Sequence, residues 1–176
     1  MNLIPTAIAG VYRAQLQPRG DARGMFARVF DLAKLREVDP AFGIVQINRS
    51  LTRARGTIRG LHFQRAPRAE DKLVQCLQGA IFDVAVDLRP DSPTYRRWVG
   101  QELSAENMEM FLVPKGCAHG FQTLTADCVV EYFVSEYYTP ESEGGVRWSD
   151  PAIGVRWPLA DPFTSDKDAA WPLLAP

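Results

Sequence analysis

The chain has 176 residues and a formal net charge of −1 at pH 7. This length fits one domain with a single core, and the composition, 46% hydrophobic and 23% charged, is typical of a globular protein rather than a disordered or fibrous one. No apolar run approaches the roughly 18 residues of a membrane span. The first ten residues lack a basic leader and contain Pro5, and the three cysteines follow neither a disulfide nor a CxxC pattern. We therefore expect a single cytoplasmic domain over residues 1–176, without contact to a membrane.

The charges are unevenly distributed along the chain. Residues 1–72 carry 13 Lys and Arg against 6 Asp and Glu, whereas the rest carry 7 against 15. The arginines of the basic part stand singly among apolar residues, without the basic run or interleaved aromatic residues of a nucleic-acid surface. This pattern favours a small anionic ligand and argues against a nucleic-acid partner.

The first forty residues predict short strands and one helix. Residues 1–10 are predicted to begin as a strand, and residues 11–17 alternate apolar and polar side chains as a half-buried strand does. Residues 18–20 predict a turn, followed by a short strand that ends at Phe30. The helix is expected over residues 31–37, with Asp31 as its N-cap.

Residues 44–52 form a strand pattern with an unusual polar side. Gln46, Asn48 and Ser50 alternate with apolar residues, so all three point the same way. A strand that turns three uncharged hydrogen-bonding side chains to one side either faces water or lines a polar cavity.

From residue 56 onward, strand patterns are dense and helical periodicity is almost absent. The predicted strands are residues 58–64, 72–78, 81–88, 97–103, 109–113, 118–124 and 128–135. The segments between them are rich in turn-forming residues. Many short strands at a spacing of about 8 to 12 residues predict an all-β sandwich or barrel. Residues 159–176 are expected to pack over it.

His62 and His119 are the only histidines of the chain, and for each the alternative is a partly buried structural residue. Arg59 and Lys72 lie near His62 in sequence, and nearby cations favour the neutral imidazole that acts as a base. Strict alternation would send Arg59 and His62 to opposite faces of a strand, but Gly60 between them permits a bulge.

A metal site is the first rival interpretation of these histidines, since double-stranded β-barrels commonly hold iron, manganese or zinc. Such a site needs an HxH pair, a carboxylate and a further histidine on a later strand. Position 64 is Gln64, and the chain has two histidines in total. We therefore expect no metal, and a metal-dependent dioxygenase is disfavoured.

An ordered set of motifs across nearly the whole chain resembles the dTDP-4-dehydrorhamnose 3,5-epimerase family. The motifs are RGxF at 23–26, QxNxS at 46–50, GTIRGLHFQ at 56–64, KLVQCLQGAIFDVAVDLR at 72–89, SPTY at 92–95, ELSAEN at 102–107, VPKGCAHGF at 113–121, PExExGVRWSDPAIGVRWP at 140–158 and SDKD at 165–168. The length of the set, rather than any single motif, makes the resemblance specific.

The resemblance implies a cupin double-stranded β-helix, or jelly roll, with a few short peripheral helices. It also implies an epimerase without metal or cofactor, usually a homodimer that exchanges N-terminal strands. Such an enzyme inverts C3, C5 or both of a nucleotide-linked 4-keto-6-deoxyhexose through an enolate.

The resemblance also implies roles for individual residues. By this resemblance, His62 matches the position of the general base, and Asp168 matches the carboxylate that orients it. Tyr132 matches the acid on the opposite face of the sugar, and Lys72 matches the cation beside the C4 oxygen. Taken alone, Tyr132 would be interpreted as a core tyrosine and Asp168 as part of a solvated charge cluster. Substrate binding is implied for Arg23, Phe26, Arg28, Gln46, Asn48, Arg59, His119, Tyr138 and Glu143.

One position departs from the family pattern. Rhamnose-pathway members commonly have RGFFxExF, whereas this chain has RGMFARVF, with Arg28 in place of the glutamate. A CDP- or GDP-linked substrate inverted at one carbon therefore stays an alternative, as does a sugar-nucleotide-binding cupin without activity. The presence of an acid, a base and a cation together favours an enzyme, because a binding protein needs no such set.

Overall fold

The computed structural model describes residues 1–174, which form thirteen β-strands and two short α-helices. The strands are β1 (Asn2–Pro5), β2 (Tyr12–Gln15), β3 (Arg19–Asp21), β4 (Gly24–Phe26), β5 (Gln46–Thr52), β6 (Ile58–Gln64), β7 (Lys72–Gln78), β8 (Ala80–Asp87), β9 (Trp98–Ser104), β10 (Glu109–Val113), β11 (Cys117–Thr123), β12 (Cys128–Val134) and β13 (Glu143–Gly145). The helices are α1 (Leu32–Arg36) and α2 (Asp166–Ala170). In this part of the chain no helix is long and apolar enough to cross a membrane.

Two antiparallel sheets carry most of the strands. The first has the order β1-β2-β10-β7-β12-β5, the second has the order β13-β6-β11-β8-β9, and β3 and β4 form a separate hairpin. From β5 to β13, successive strands mostly alternate between the two sheets. This connectivity is the cupin double-stranded β-helix, so the predicted all-β class is confirmed.

The main core lies between the sheets and follows from the alternation of each strand. Val74 and Val130 of the first sheet share a buried cluster with Phe121 of the second. On the other side of β7, the neighbouring Leu73 belongs to a second cluster with Leu35 of α1. Both faces of β7 therefore pack against apolar side chains. This packing holds Lys72, the first residue of the strand, in position.

The strand bounds predicted for β6, β7 and β10 agree with the structure, and Asp31 caps α1, where its carboxylate accepts the N–H of Ala33 at 3.1 Å. Two predictions before this helix are wrong. Residues 19–20 belong to β3 instead of a turn, and the following strand ends at Phe26 instead of Phe30. The turn lies later because the Asp21 carboxylate accepts the N–H of Arg23 at 2.9 Å, which closes the hairpin locally.

The bulge predicted at Gly60 is present in β6. In the ladder with β11, His62 pairs with His119 while Arg59 pairs with Phe121, so β6 carries one extra residue. Gly60 has a φ of 145°, and a Cβ there would overlap the backbone of β11. The extra residue lets Arg59 and His62 line the same cavity.

The C-terminal part of the chain runs along the second sheet. The N–H of Ile58 donates to the carbonyl of Phe163 at 2.8 Å, and α2 then packs against β6. Ser165 caps α2 by accepting the N–H of Asp168 at 3.1 Å. Of the predicted segment 159–176, residues 175–176 lie outside the described residues.

Candidate active site

A polar cavity of about 330 Å³ lies between the two sheets. The chemically active side chains that line it are Arg59, His62 and His119 from the second sheet, Ser50, Lys72 and Tyr132 from the first, and Lys167 and Asp168 from α2. All four residues predicted to be catalytic therefore line one cavity. The fold brings them together from strands that lie far apart in sequence.

His62 and Asp168 form a short polar contact in the cavity. His62 Nε2 lies 2.6 Å from Asp168 Oδ1, and the N–H of Gly60 donates to Asp168 Oδ2 at 3.3 Å. Burial of Asp168 opposes its ionisation, but the His62 hydrogen bond and charge outweigh burial, so the carboxyl pKa lies below its ordinary value. Since the ionised carboxylate can only accept, Nε2 carries the proton and Nδ1 is the ring nitrogen available as a base.

Tyr132 lies across the cavity from His62. Its hydroxyl lies 3.0 Å from Ser50 Oγ, and its ring packs edge-on against His119 with a centroid distance of 6.1 Å. Burial strongly raises the pKa of Tyr132, and the hydrogen bond with Ser50 offsets only part of this effect. The phenol is therefore protonated at neutral pH.

Lys72 brings a positive charge to the same cavity. Its Nζ lies 3.2 Å from Glu70 Oε1, and only 13% of its side chain is exposed. Lys72 also lines an adjoining cavity, so its ammonium group lies at the boundary between the two. Sequence reasoning did not single out Glu70, although a carboxylate two residues before a candidate catalytic lysine is a signal that could have been used.

His119 has a carboxylate partner that sequence reasoning missed. His119 Nε2 lies 2.8 Å from Asp83 Oδ1, and both side chains are buried. Burial raises the pKa of Asp83, and His119 counteracts only part of this rise. The available signal was a lone carboxylate inside the apolar run of β8.

The adjoining cavity has a volume of about 420 Å³ and shares Lys72 and Tyr132 with the first. Gln46, Asn48 and Tyr138 also line it, so the polar side of β5 does face a cavity. Gln46 Oε1 accepts the backbone N–H of Tyr138 at 2.9 Å, which connects β5 to the loop after β12.

Glu143 lies beside these cavities and joins two of their side chains. Lys167 Nζ is 2.6 Å from its Oε1, and the Tyr138 hydroxyl donates to its Oε2 at 3.3 Å. The hydrogen bond from Lys167 lowers the pKa of Glu143. Lys167, which lines the first cavity, is a further residue that sequence reasoning did not single out.

Four predicted binding residues line neither cavity within one chain: Glu143, which lies beside them, and three residues near the β3–β4 hairpin. Arg23 pairs with Asp21 in the β3–β4 hairpin, and Phe26 on the same hairpin is 69% exposed. Arg28 Nη1 lies 3.3 Å from Asp31 Oδ2 at the beginning of α1. The predicted contact of these three residues with the substrate therefore requires a second chain or a movement of this segment.

Within residues 1–174, no group of three or more His, Cys, Asp or Glu side chains is placed to hold a metal ion. Metal-free chemistry stays a prediction.

Comparison with known proteins identifies the family. The family model for dTDP-4-dehydrorhamnose 3,5-epimerase matches residues 5–176. The dTDP-4-dehydrorhamnose 3,5-epimerase of Sinorhizobium fredii (strain NBRC 101917 / NGR234) is 49% identical over 162 residues, which cover 90% of this chain and 83% of the relative.

Solved structures agree with this match. The Bacillus anthracis str. Ames dTDP-4-dehydrorhamnose 3,5-epimerase with TDP and PPi bound has a TM-score of 0.94 and 44% identity, covering 98% of this chain and 99% of that one. The Legionella pneumophila Philadelphia 1 dTDP-6-deoxy-D-glucose-3,5-epimerase in complex with dTDP-4-keto-L-rhamnose has a TM-score of 0.91 and 41% identity, covering 98% and 92%. The chain belongs to the dTDP-4-dehydrorhamnose 3,5-epimerase family.

Proposed function

We propose that this protein inverts C3 and C5 of a dTDP-linked 4-keto-6-deoxyhexose by removing a proton beside the C4 ketone and returning one to the opposite face. The observation that carries the proposal is that His62 and Tyr132 line one cavity from opposite sheets. Inversion needs a base and an acid on opposite sides of the sugar ring, since one group in both roles tends to restore the original configuration. The substrate class rests on the family and on the dTDP-sugar bound to the Legionella relative.

His62 acts as the general base in this proposal. Its Nδ1 accepts the proton from C3 or C5, and the imidazolium that forms is stabilised by the ionised Asp168 at 2.6 Å. Asp168 stays ionised throughout the reaction, because its pKa lies below the ordinary value. Its role is to hold the tautomer and orientation of His62.

Lys72 stabilises the enolate. A hydrogen beside a ketone is too weakly acidic for imidazole unless charge on the developing oxyanion is stabilised, and one well-placed donor contributes about 3 to 4 kcal/mol. The Lys72 ammonium is mostly buried and is oriented by Glu70, so little water competes for it. We expect the C4 oxygen to lie beside Nζ.

Tyr132 returns the proton from the other side. Its raised pKa keeps the hydroxyl protonated at neutral pH, which is the form an acid needs. After donation, the buried tyrosinate recovers a proton and the His62 imidazolium releases the one it took, so both groups return to their starting forms. The neighbouring Ser50 hydroxyl is the polar group through which we expect the proton of Tyr132 to arrive.

The remaining predicted residues hold the substrate. Arg59 and His119 line the cavity of the reacting sugar, and an arginine fork suits the diphosphate. Gln46, Asn48 and Tyr138 line the adjoining cavity, which has room for the nucleoside. Glu143 orients Tyr138 through its hydroxyl.

We further propose a homodimer in which the β3–β4 hairpin of one chain completes the site of the other. Arg23, Phe26 and Arg28 lie on or next to this hairpin and are exposed. The outer side of β5 also exposes apolar side chains, with 58% of Ile47 and 43% of Leu51 accessible. Such residues are typical of a covered surface.

We place the enzyme in the cytoplasm, since its three cysteines are free and buried, as suits a reducing compartment. The reaction as written uses no cofactor.

The test of the reaction is solvent exchange. In D2O with dTDP-4-keto-6-deoxyglucose, we expect deuterium at C3 and C5 of the product, followed by NMR. His62→Asn should abolish the exchange while circular dichroism stays unchanged. Parallel incubations with CDP- and GDP-linked sugars test the effect of Arg28. Exchange with no nucleotide sugar would contradict the proposal.

The dimer has its own test, mixing two inactive variants. In the proposed dimer, each site combines His62 of one chain with Arg23 of the other. A mixed dimer of Arg23→Ala and His62→Asn chains therefore contains one site in which both residues are present. Recovery of activity after the two proteins are unfolded together and refolded supports the shared site. No recovery, with a mixed dimer present by mass spectrometry, contradicts it.

A further inference from the structure

Trp171 lies behind the His62–Asp168 pair, outside the cavity lining. Its ring packs edge-on against the imidazole of His62, with a centroid distance of 6.2 Å and an interplanar angle of 65°. This arrangement is one that aromatic rings favour. Trp171 therefore contacts the proposed base without lining the cavity.

The sequence leaves space for this ring at one position. Gly145 of β13 lies directly opposite His62 in the β6–β13 ladder. A Cβ at Gly145 would overlap the indole of Trp171. The missing side chain at Gly145 is thus what admits the indole beside His62.

The backbone of Trp171 is also held in place. Arg147 Nε donates to the Trp171 carbonyl, and the Arg147 N–H donates to the carbonyl of Pro172, both at 3.0 Å. Lys167 Nζ lies 5.9 Å from the centre of the indole ring. Arg147 therefore holds the backbone of Trp171, while Gly145 and Lys167 lie against its ring.

The indole N–H of Trp171 lies near the Asp168 carboxylate without forming a hydrogen bond to it. Among the described residues it is buried and has no hydrogen bond of good geometry. It nevertheless lies close enough to Asp168 to favour the ionised carboxyl, as a smaller contribution beside burial, which opposes ionisation, and His62, which favours it. A buried donor in this position has the carboxylate as its natural acceptor.

We propose that Trp171 is a positioning residue for the His62–Asp168 pair: its ring fixes the plane of the imidazole, and its N–H restrains the carboxylate. This inference rests on the proposed function, in which His62 is the base. Removing the N–H takes a nearby positive dipole away from Asp168, so the carboxylate binds the His62 proton more strongly. The imidazolium then persists to higher pH.

The test is a histidine titration by NMR, which needs no substrate. The chain has two histidines, so two imidazole signals are expected, and His62→Asn identifies that of His62. In Trp171→Phe, which keeps a ring under Lys167, we expect the His62 midpoint to move to higher pH than in the wild type. The matched control is Trp98→Phe, which removes an indole N–H that donates to the Gly154 carbonyl at 3.2 Å.

Neither variant replaces any of the other charged groups around the pair. They are Lys167 on α2, Glu143 on β13, Arg59 on β6, His119 on β11 and Lys72 on β7. A His62 midpoint in Trp171→Phe equal to that of the wild type would overturn the inference. An equal shift in Trp98→Phe would also overturn it.

A kinetic readout separates positioning from binding. Because Trp171 does not line the cavity, Trp171→Ala should lower kcat about tenfold or more through a misplaced imidazole, with KM unchanged. A rise in KM alone would assign Trp171 to substrate binding and contradict the inference. The titration of Trp171→Phe decides the question even if the alanine variant does not fold, or if the dTDP-sugar is not the substrate.

Discussion

Asp168→Asn is the sharpest test of how the proposed base works. The substitution keeps the shape of the side chain and removes its charge. The amide that replaces the carboxylate can still accept the Gly60 N–H through its oxygen, as Asp168 Oδ2 does at 3.3 Å. The NH2 group of that amide then faces His62 Nε2, where the wild-type carboxylate accepts.

The consequence is a change of tautomer. An amide NH2 donates, so Nε2 of His62 must become the acceptor and the ring proton moves to Nδ1. That nitrogen is the one that the proposed mechanism uses to take a proton from the sugar. The variant base is therefore in the wrong form before the reaction begins.

The magnitude follows from the contact that is lost. A hydrogen bond to a charged partner contributes about 1.5 to 3 kcal/mol, and at 2.6 Å the His62–Asp168 contact is at the short end of the usual range. Each 1.36 kcal/mol is a factor of ten in rate, so we expect kcat/KM to fall at least about 10- to 150-fold. The tautomer change adds to this loss.

The assay is the rate of deuterium entry at C3 and C5, measured for the wild type, Asp168→Asn and Asp166→Asn. Asp166 is the matched control because it lies exposed in the same helix turn and carries the same charge. We expect Asp166→Asn to keep nearly the wild-type rate. If Asp168→Asn does the same, or if both variants lose activity equally, the reasoning is refuted.

Three further predictions concern other parts of the molecule. Tyr132→Phe should lower epimer formation by about 100-fold or more while exchange through His62 falls much less; NMR of the product in D2O distinguishes the two, and equal losses would contradict separate acid and base roles. Asp87 is buried, which opposes ionisation, but hydrogen bonds from a guanidinium and two hydroxyls lower its pKa on balance. Its stabilising effect is therefore complete above its unfolded pKa of about 4 and is lost as pH falls below it, so thermal melts of Asp87→Asn should depend less on pH between about 5 and 3 than those of the wild type. Gly145→Ala should displace Trp171 and lower kcat; unchanged kinetics would show that the indole has room to move.

Local patterns were enough to predict much of the second sheet, whereas the chemical roles of its residues came from the family resemblance. The bounds of β6 follow from alternation, and the bulge follows from Gly60 lying between two residues that must face one cavity. The polar side of β5 was likewise visible in Gln46 and Asn48. In each case the signal lies within one strand.

Pairs between distant elements could not be predicted in the same way. Asp83 and His119 come from different strands, and neither residue has a local pattern that reveals its partner. The contact of Trp171 with His62 depends on the missing side chain of Gly145, which lies on a further strand, β13. Such contacts depend on the ladder registers, which alternation alone does not fix.

The ladders around His62 explain why the proposed base and acid keep separate environments. His62 lies between His119 on β11 and Gly145 on β13, so one neighbour contributes an imidazole and the other leaves space for the indole of Trp171. Asp168 then reaches Nε2 from α2. Tyr132 rests on the opposite sheet with a hydroxyl partner and no carboxylate hydrogen-bonded to it among the described residues. A carboxylate partner helps His62 to gain a proton, whereas burial keeps Tyr132 in its protonated form, and inversion requires the two groups on opposite faces of the same ring.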